Sequence, residues 1–356
     1  MQLLRRLVVV NSISIGGGKI TEAFEIMSST TATKLTRSTI RTSTTSSAAE
    51  AAAVSTSSAT ADNNNNNKLL FLFDFDGVVC DSCDECTVSA YYTLQKLNVI
   101  LSSTEDGYDY PEDWLFEKMR EIRPAIEVGW QIPVLLSVFL EQQQQQQPRM
   151  TVSEIIDKYE VLVRDWLVKY NLNERIMIET FGTVRDTWIQ TDLNSWLAIN
   201  TFYDNVPQSF NACVGKSILV TTKQQRFAIE LCRYAGITSD SLPDTNIYGL
   251  GQYTKKADVI VDHMNINTTT DTDHDETNTA TNNYLPQNTY FFEDRWSTIT
   301  KCLQDERLMG VQLNLCSWGY CTLKEIQLAH NEPRVTVITS LQDFVRIVTT
   351  VPKPKK

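Results

Sequence analysis

The stretch FLFDFDGVVCDS, Phe71 to Ser82, decides how the chain is read. It is apolar apart from Asp74 and Asp76, which flank a single residue and run straight into Gly77. In a strand, residues two apart point to the same face. Two neighbouring carboxylates repel each other and resist burial. A cation beside them removes both difficulties, so the stretch predicts an oxygen-ligand metal site at the end of a buried strand.

Outward from that stretch, Leu69 to Val79 is a near-continuous apolar run broken only by the aspartates. This is the pattern of a strand buried on both faces, as in a parallel sheet. A helix can follow over 84–97. From there to about residue 215 the chain has helical periodicity without strand alternation, with segments at 112–131, 152–170 and 184–199. Six glutamines, Gln142 to Gln147, close on Pro148 and read as a helix end plus a loop. Strand-like segments then return at 217–222, 246–249, 290–293, 311–316 and 335–338, with helices expected over 224–234 and 255–263. Strands alternating with helices predict a parallel α/β sheet, Rossmann-like, covered on both faces. The core is expected over 69–84 and 216–350, with a helical insert over 85–215.

The chain has 356 residues, and 32 basic against 43 acidic side chains leave it at −11. An acidic chain without a basic cluster argues against nucleic acid or an anionic membrane as partner. The longest apolar run, Ile132 to Leu140, is about half of what a bilayer span needs. The eight cysteines lack framework spacing, which fits a reducing compartment. Cys80, Cys83 and Cys86 have a C-x2-C-x2-C spacing, but no fourth ligand follows nearby, and they read as small packing residues. Residues 1–68, rich in Ser, Thr, Ala and Asn, cannot bury enough apolar surface to offset their ordering entropy. Their start resembles an organelle transit peptide, a plain disordered tail being the other reading. The Asn/Thr-rich stretch over 265–288 contains Asp271 to Glu276, whose spacing lacks the calcium-loop glycine and glutamate. It reads as a solvated acidic loop.

Ligands of open parallel sheets bind at the carboxyl ends of the strands. Here those ends carry Asp74 and Asp76, then Thr221, Thr222 and Lys223, then Lys255 and Lys256, then Glu293 and Asp294. This ordered set resembles the four motifs of the haloacid dehalogenase-like hydrolase superfamily. Asp74 to Ser82 is similar to its DxDGxxxDS motif, and the helical insert sits where that family places a C1 cap. The stretches 123–136 and 188–197 are similar to a subgroup from cyanobacteria and plastid-bearing organisms. That favours a plastid for the leader, with mitochondrion or cytoplasm as alternatives.

The resemblance implies a magnesium-dependent phosphohydrolase acting on a small phosphorylated metabolite. Asp74 would be the nucleophile, giving an aspartyl-phosphate, and Asp76 the general acid and base. Asp74, the Asp76 main-chain carbonyl and Asp294 would hold Mg2+, with Glu293 on a metal-bound water. Thr221 and a lysine would hold the phosphoryl oxygens. The lysine is Lys255 or Lys256, since the usual following proline is absent; Lys256 is favoured because four residues on it reaches Ile260 on a packed face. Gly77, Asp81, Thr222, Lys223 and Arg123 complete the expected substrate-facing set, with Glu127, Trp130 and Arg185 as further cap candidates. The carboxylate at position 76 separates phosphoryl transfer from dehalogenation within the family. A phosphomutase, or an idle binding protein of the same fold, are the alternatives.

Overall fold

The computed structural model describes residues 68–101, 109–145, 150–264 and 284–350. The expected leader, the end of the glutamine run and the acidic stretch Asp271 to Glu276 lie outside them. The chain enters through β1 (Leu70–Phe73) and a short β2 (Cys80–Asp81). Six helices follow: α1 (Cys83–Lys96), α2 (Asp113–Ile122), α3 (Ile132–Gln145), α4 (Val152–Asp157), α5 (Tyr159–Lys169) and α6 (Glu174–Ala198). A short β3 (Thr201–Phe202) and α7 (Val206–Asn211) lead into β4 (Lys216–Val220). The remainder alternates: α8 (Gln225–Tyr234), β5 (Ile247–Tyr248), α9 (Lys256–Met264), β6 (Thr289–Glu293), α10 (Trp296–Leu303), β7 (Gln312–Cys316), α11 (Leu323–His330), β8 (Val335–Ile338) and α12 (Leu341–Thr349).

Six strands form one sheet in the order β5-β4-β1-β6-β7-β8, and every pairing is parallel. The architecture is thus the expected α/β, Rossmann-like one. Leu72 lies opposite Ile218 on one side and Phe291 on the other, so β1 is paired along both edges. That explains its unbroken apolar sequence, because alternate side chains enter two separate cores. Leu70 and Leu72 join Ile218, Val220, Phe291 and Leu313 under Val259, Ile260 and Ile299. Phe71 and Phe73 join Leu219 and Phe292 under Phe210, Phe227, Leu231 and Phe344. The second layer is aromatic: the Phe73 ring lies 4.5 Å from Phe210 and 5.2 Å from Phe292, centroid to centroid.

A third cluster belongs to the helices between β2 and β3. It gathers Leu94, Met119, Ile122, Leu135, Leu136, Trp166, Met177 and Phe181. The chain leaves the sheet through β2 and returns through β3, and these two pair antiparallel, Cys80 opposite Phe202 and Asp81 opposite Thr201. No described helix is long and apolar enough to cross a membrane.

Several expectations are corrected. The run from Leu69 to Val79 is not one strand. The ladder ends at Phe73, and the amides of Val79 and Cys80 turn back onto the Phe75 carbonyl at 2.9 and 3.1 Å. Gly77, at φ +88°, supplies the left-handed conformation that this turn needs. The helix expected over 112–131 ends at Ile122, because Pro124 opens a 3-10 turn, Arg123–Ala125. The one over 152–170 is broken at Lys158, and Thr151 with Glu154 caps its first part as a capping box. Helix α6 begins ten residues before the expected 184, where the Asn173 side chain accepts from the Ile176 amide, and it kinks at Asp192. The cysteines Cys80, Cys83 and Cys86 are free and buried, and burial above all lifts the Cys83 thiol to about 12. Cys80 packs in the sheet core, and Cys83 and Cys86 in the helical core, as expected.

His263 on α9 gives a pH probe of this packing. Its Nε2 lies 2.9 Å from the Tyr248 hydroxyl and its Nδ1 3.3 Å from Lys216 Nζ. Burial, then the Lys216 charge, lowers its pKa from 6.5 to about 4. Between those values the unfolded chain takes up a proton that the folded chain refuses, so stability falls as pH drops from 6.5 towards 4. Denaturant midpoints measured across this range should fall less steeply for His263→Gln than for the natural chain. Parallel slopes would show that His263 is not held neutral.

Candidate active site

The strand ends deliver their side chains to one place. The Asp74 amide continues the ladder onto the Phe292 carbonyl at 2.9 Å, so Asp74 is fixed directly beside the end of β6. There the chain turns at Glu293 and Asp294, both fully buried. Lys256, the first residue of α9, reaches across with its Nζ 2.8 Å from Asp74 Oδ1 and 2.8 Å from Glu293 Oε2. Of the two lysines, Lys256 enters the site, whereas Lys255 is exposed at its rim.

Asp74, Glu293 and Asp294 each offer a carboxylate oxygen within 4.8 Å of the others. Their partners divide the roles. Glu293 Oε1 accepts from the amides of Asp294 and Arg295, and its Oε2 accepts from Lys256. Asp294 Oδ2 accepts from the Tyr320 amide at 2.6 Å, while Asp294 Oδ1 is buried with no partner. A buried carboxylate oxygen without a donor is costly. An oxygen-seeking cation among these three acids would satisfy it, and an all-oxygen donor set suits Mg2+. The residues therefore fit the expected metal. Burial, only partly offset by Lys256 and reinforced by Glu293, lifts the Asp74 carboxyl to about 7. Burial, then the Asp74 charge, lifts Asp294 to about 6. Three acids facing one ammonium lack positive charge, and a divalent cation would supply it.

Two glycines make room for Asp294. A Cβ on Gly77 would stand 2.0 Å from Asp294 Oδ2, and one on Gly319 2.4 Å from Asp294 Cβ. Gly77 thus belongs to the support of the carboxylate rather than to a substrate contact. Asp81 is also structural: its Oδ1 accepts from the Tyr320 hydroxyl at 2.7 Å and the Cys83 amide at 3.0 Å. Asp81 thereby ties the loop after β7 to the start of α1.

Asp76 lies beside Asp74 with its carboxylate partly exposed. Its Oδ1 accepts from Ser82 Oγ and lies 3.4 Å from Lys223 Nζ. Thr221 is fully buried at the end of β4, and its Oγ1 accepts from the Lys223 amide at 3.1 Å. The neighbouring Thr222 lines the open cleft. Lys223 is buried under Asp76 and reaches Glu85 rather than the cleft.

The cleft has a volume of about 570 Å3, and Asp74, Asp76, Arg123, Lys256, Asp294 and Tyr320 are among its walls. That is the size of a small-molecule pocket. Arg123 comes from the helical insert and is buried against the Tyr320 ring, 4.0 Å from its centroid. Its Nε has no partner. Glu127 is exposed on the rim, 3.4 Å from Lys301. Trp130 packs in the helical core. Arg185, a candidate for substrate contact, instead forms two bonds to Glu85, at 2.7 and 3.0 Å. Sequence reasoning missed Glu85, Ser82, Tyr320 and Gly319. The first two lie within or just after the aspartate stretch, but only their partners from distant segments reveal a role.

No family model matches the chain, and no curated protein matches it. Among solved structures it is similar to a predicted phosphatase from Clostridium acetobutylicum, at 14% identity and TM-score 0.46, over 79% of this chain and 98% of that one. It is similar also to a predicted phosphoglycolate phosphatase from Haemophilus somnus 129PT, at 15% identity and TM-score 0.46, over 79% and 98% of the two chains. A HAD-superfamily hydrolase of subfamily IA from Geobacter sulfurreducens PCA follows at 9% identity and TM-score 0.41, over 80% and 97%. These likenesses are too distant to carry a reading of the chemistry, which rests on the side chains.

Two substitutions test the framework. Gly77→Ala should cost about 2 kcal/mol in urea unfolding, from the strained φ and the collision with Asp294. It should also weaken Mg2+ binding measured by calorimetry; unchanged binding would detach Asp294 from the metal. Arg185→Ala should cost about 3–5 kcal/mol, because it strands the buried Glu85 carboxylate. A loss below 1 kcal/mol would mean that water reaches Glu85.

Proposed function

We propose that the chain is a Mg2+-dependent phosphohydrolase of the haloacid dehalogenase-like type, acting on a small phosphorylated metabolite. The observation that carries this reading is the meeting of Asp74, Lys256, Glu293 and Asp294 at the strand ends, with the Asp294 Oδ1 atom buried and unpartnered. Asp74, the Asp76 main-chain carbonyl and Asp294 would hold the cation, with Glu293 behind them. When bound, Mg2+ supplies the positive charge that lets an anionic nucleophile approach an anionic phosphoryl group.

The chain's own residues would then act as follows. Asp74 forms a bond to phosphorus as the bond to the leaving oxygen breaks, giving an aspartyl-phosphate. Asp76, partly exposed beside it, donates its proton to the leaving oxygen. Lys256 is anchored between Asp74 and Glu293, so it keeps Asp74 oriented and faces the phosphoryl oxygens. The Thr221 hydroxyl donates to another of those oxygens. In the second step Asp76 takes a proton from water as the water oxygen bonds to phosphorus and the bond from phosphorus to Asp74 breaks, which releases phosphate and restores the Asp74 carboxylate. Arg123 and Tyr320 close the cleft from the side of the insert, which suits a small substrate rather than a protein.

The test is phosphate release from an aryl phosphate and from a panel of small phosphorylated metabolites, with Mg2+ and with chelator. Release should require Mg2+ and should fall by at least about 1,000-fold in Asp74→Asn, which removes the attacking anion. Release that survives both chelator and Asp74→Asn would overturn the reading.

A further inference from the structure

Below the crevice lies a buried group of charges that the scheme above does not use. Glu85 on α1 is fully buried, and Arg185 and Lys223 are each less than one-tenth exposed. Glu85 Oε1 accepts from Arg185 Nε at 2.7 Å, Ser89 Oγ at 2.6 Å and Trp196 Nε1 at 3.2 Å. Glu85 Oε2 accepts from an Arg185 NH2 group at 3.0 Å and lies 3.6 Å from Lys223 Nζ. Lys223 Nζ in turn lies 3.4 Å from Asp76 Oδ1. The Arg185 guanidinium is also stacked on the Phe181 ring, 3.9 Å from its centroid.

Two cations, Arg185 and Lys223, face the Glu85 carboxylate, and Lys223 also reaches the Asp76 carboxyl group. Burial opposes the Glu85 charge, but Arg185 and then Lys223 outweigh it and bring the carboxyl down to about 2. Glu85 is therefore a fixed anion. Lys223 is shared, a little beyond hydrogen-bond length from each of two carboxylates. An ammonium between two acids settles where their pulls balance. Strengthen or weaken Glu85, and Lys223 moves away from or towards Asp76. Arg185 sets the pull of Glu85, because it takes up both of that carboxylate's oxygens. Arg185 and Trp196 lie on α6, on either side of its kink at Asp192, so the inserted helices reach the crevice through this chain of contacts.

We propose that Glu85, clamped by Arg185, is a positioning residue that holds Lys223 and through it orients Asp76 for proton transfer to the leaving oxygen. This rests on the phosphohydrolase reading. In the first step the proton leaves Asp76 for the bridging oxygen as the phosphoryl group passes to Asp74. An alkyl leaving group needs that proton, whereas 4-nitrophenolate departs without it. Disturbing the position of Asp76 must therefore penalise alkyl phosphates far more than aryl phosphates, which a general loosening of the fold would not do.

The experiment compares kcat for glycerol 3-phosphate and 4-nitrophenyl phosphate in the natural chain, in Lys223→Gln, and in the double substitution Glu85→Leu with Arg185→Met. The double change removes the buried pair as a unit, an exchange that proteins tolerate better than stranding one partner. The alkyl-to-aryl ratio of kcat should fall about 100-fold in both variants, the size of a general-acid contribution, with KM for the alkyl substrate little changed. Equal losses on the two substrates, or no loss, would overturn the positioning role while leaving the phosphohydrolase reading intact. If Lys223→Gln fails to fold, the double variant decides. A natural chain that releases phosphate from neither these substrates nor the metabolite panel would overturn the phosphohydrolase reading, and this inference with it.

Discussion

Three buried carboxylates facing one ammonium is the constraint on which the rest depends. Asp74, Glu293 and Asp294 gather their oxygens within 4.8 Å, and Lys256 is the one cation in direct contact with any of them among the described residues. Such an arrangement repels itself, and burial makes the repulsion worse. It persists because each acid sits on a backbone that has no freedom to move it. Asp74 is locked by the β1–β6 ladder, Glu293 by two amides of its own turn, and Asp294 by the Tyr320 amide and two glycines that leave it just enough space. The fold stores the unfavourable contact, and a divalent cation is the chemical species that would relieve it.

That rigidity has its source in the sheet. β1 is central, apolar on both faces and paired along both edges. The aromatic layer of Phe71, Phe73, Phe210, Phe292 and Phe344 on one face and the aliphatic layer on the other fix its height and register. The parallel arrangement puts all six strand ends on one side. The chain runs outward through β4 and β5, then crosses back to place β6 beside β1. The acids of β1 and β6 thus meet where the strand order reverses.

The inserted helices carry their own core, built on Leu135, Leu136, Met177 and Phe181, yet they are tied to the sheet in specific ways. β2 and β3 pair where the chain leaves and re-enters. Arg123 stacks on Tyr320, which also holds Asp81 and donates its amide to Asp294. Glu85, gripped by Arg185, reaches Lys223 beneath Asp76. Tyr320 and Glu85 are thus two of the joints between the insert and the strand ends, alongside the pairs Arg226–Asp186 and Lys301–Glu127.

Much of this was legible in the chain itself. Alternating and continuous apolar runs mark the strands, because burial in a sheet imposes them, and an acid or hydroxyl after such a run marks a strand end. Asp74, Asp76, Thr221, Glu293 and Asp294 all follow from that rule. The lysine rests on a different argument: the spacing to Ile260 favours Lys256 over Lys255, but a helix start can turn either residue inward until its packing is known. The roles of Gly77 and Asp81 were misread for a similar reason: their neighbours Asp294 and Tyr320 lie more than two hundred residues away. Arg185 read as a substrate contact because an arginine on a helix shows nothing of its partner, and Glu85 passed unnoticed among the surface-like acids of α1. The sequence by itself determined which segments are strands and which chemistry their ends carry, through the local demands of burial and backbone conformation. Only the tertiary structure decided which charges meet, because an ion pair between residues a hundred positions apart is set by packing and leaves no local pattern.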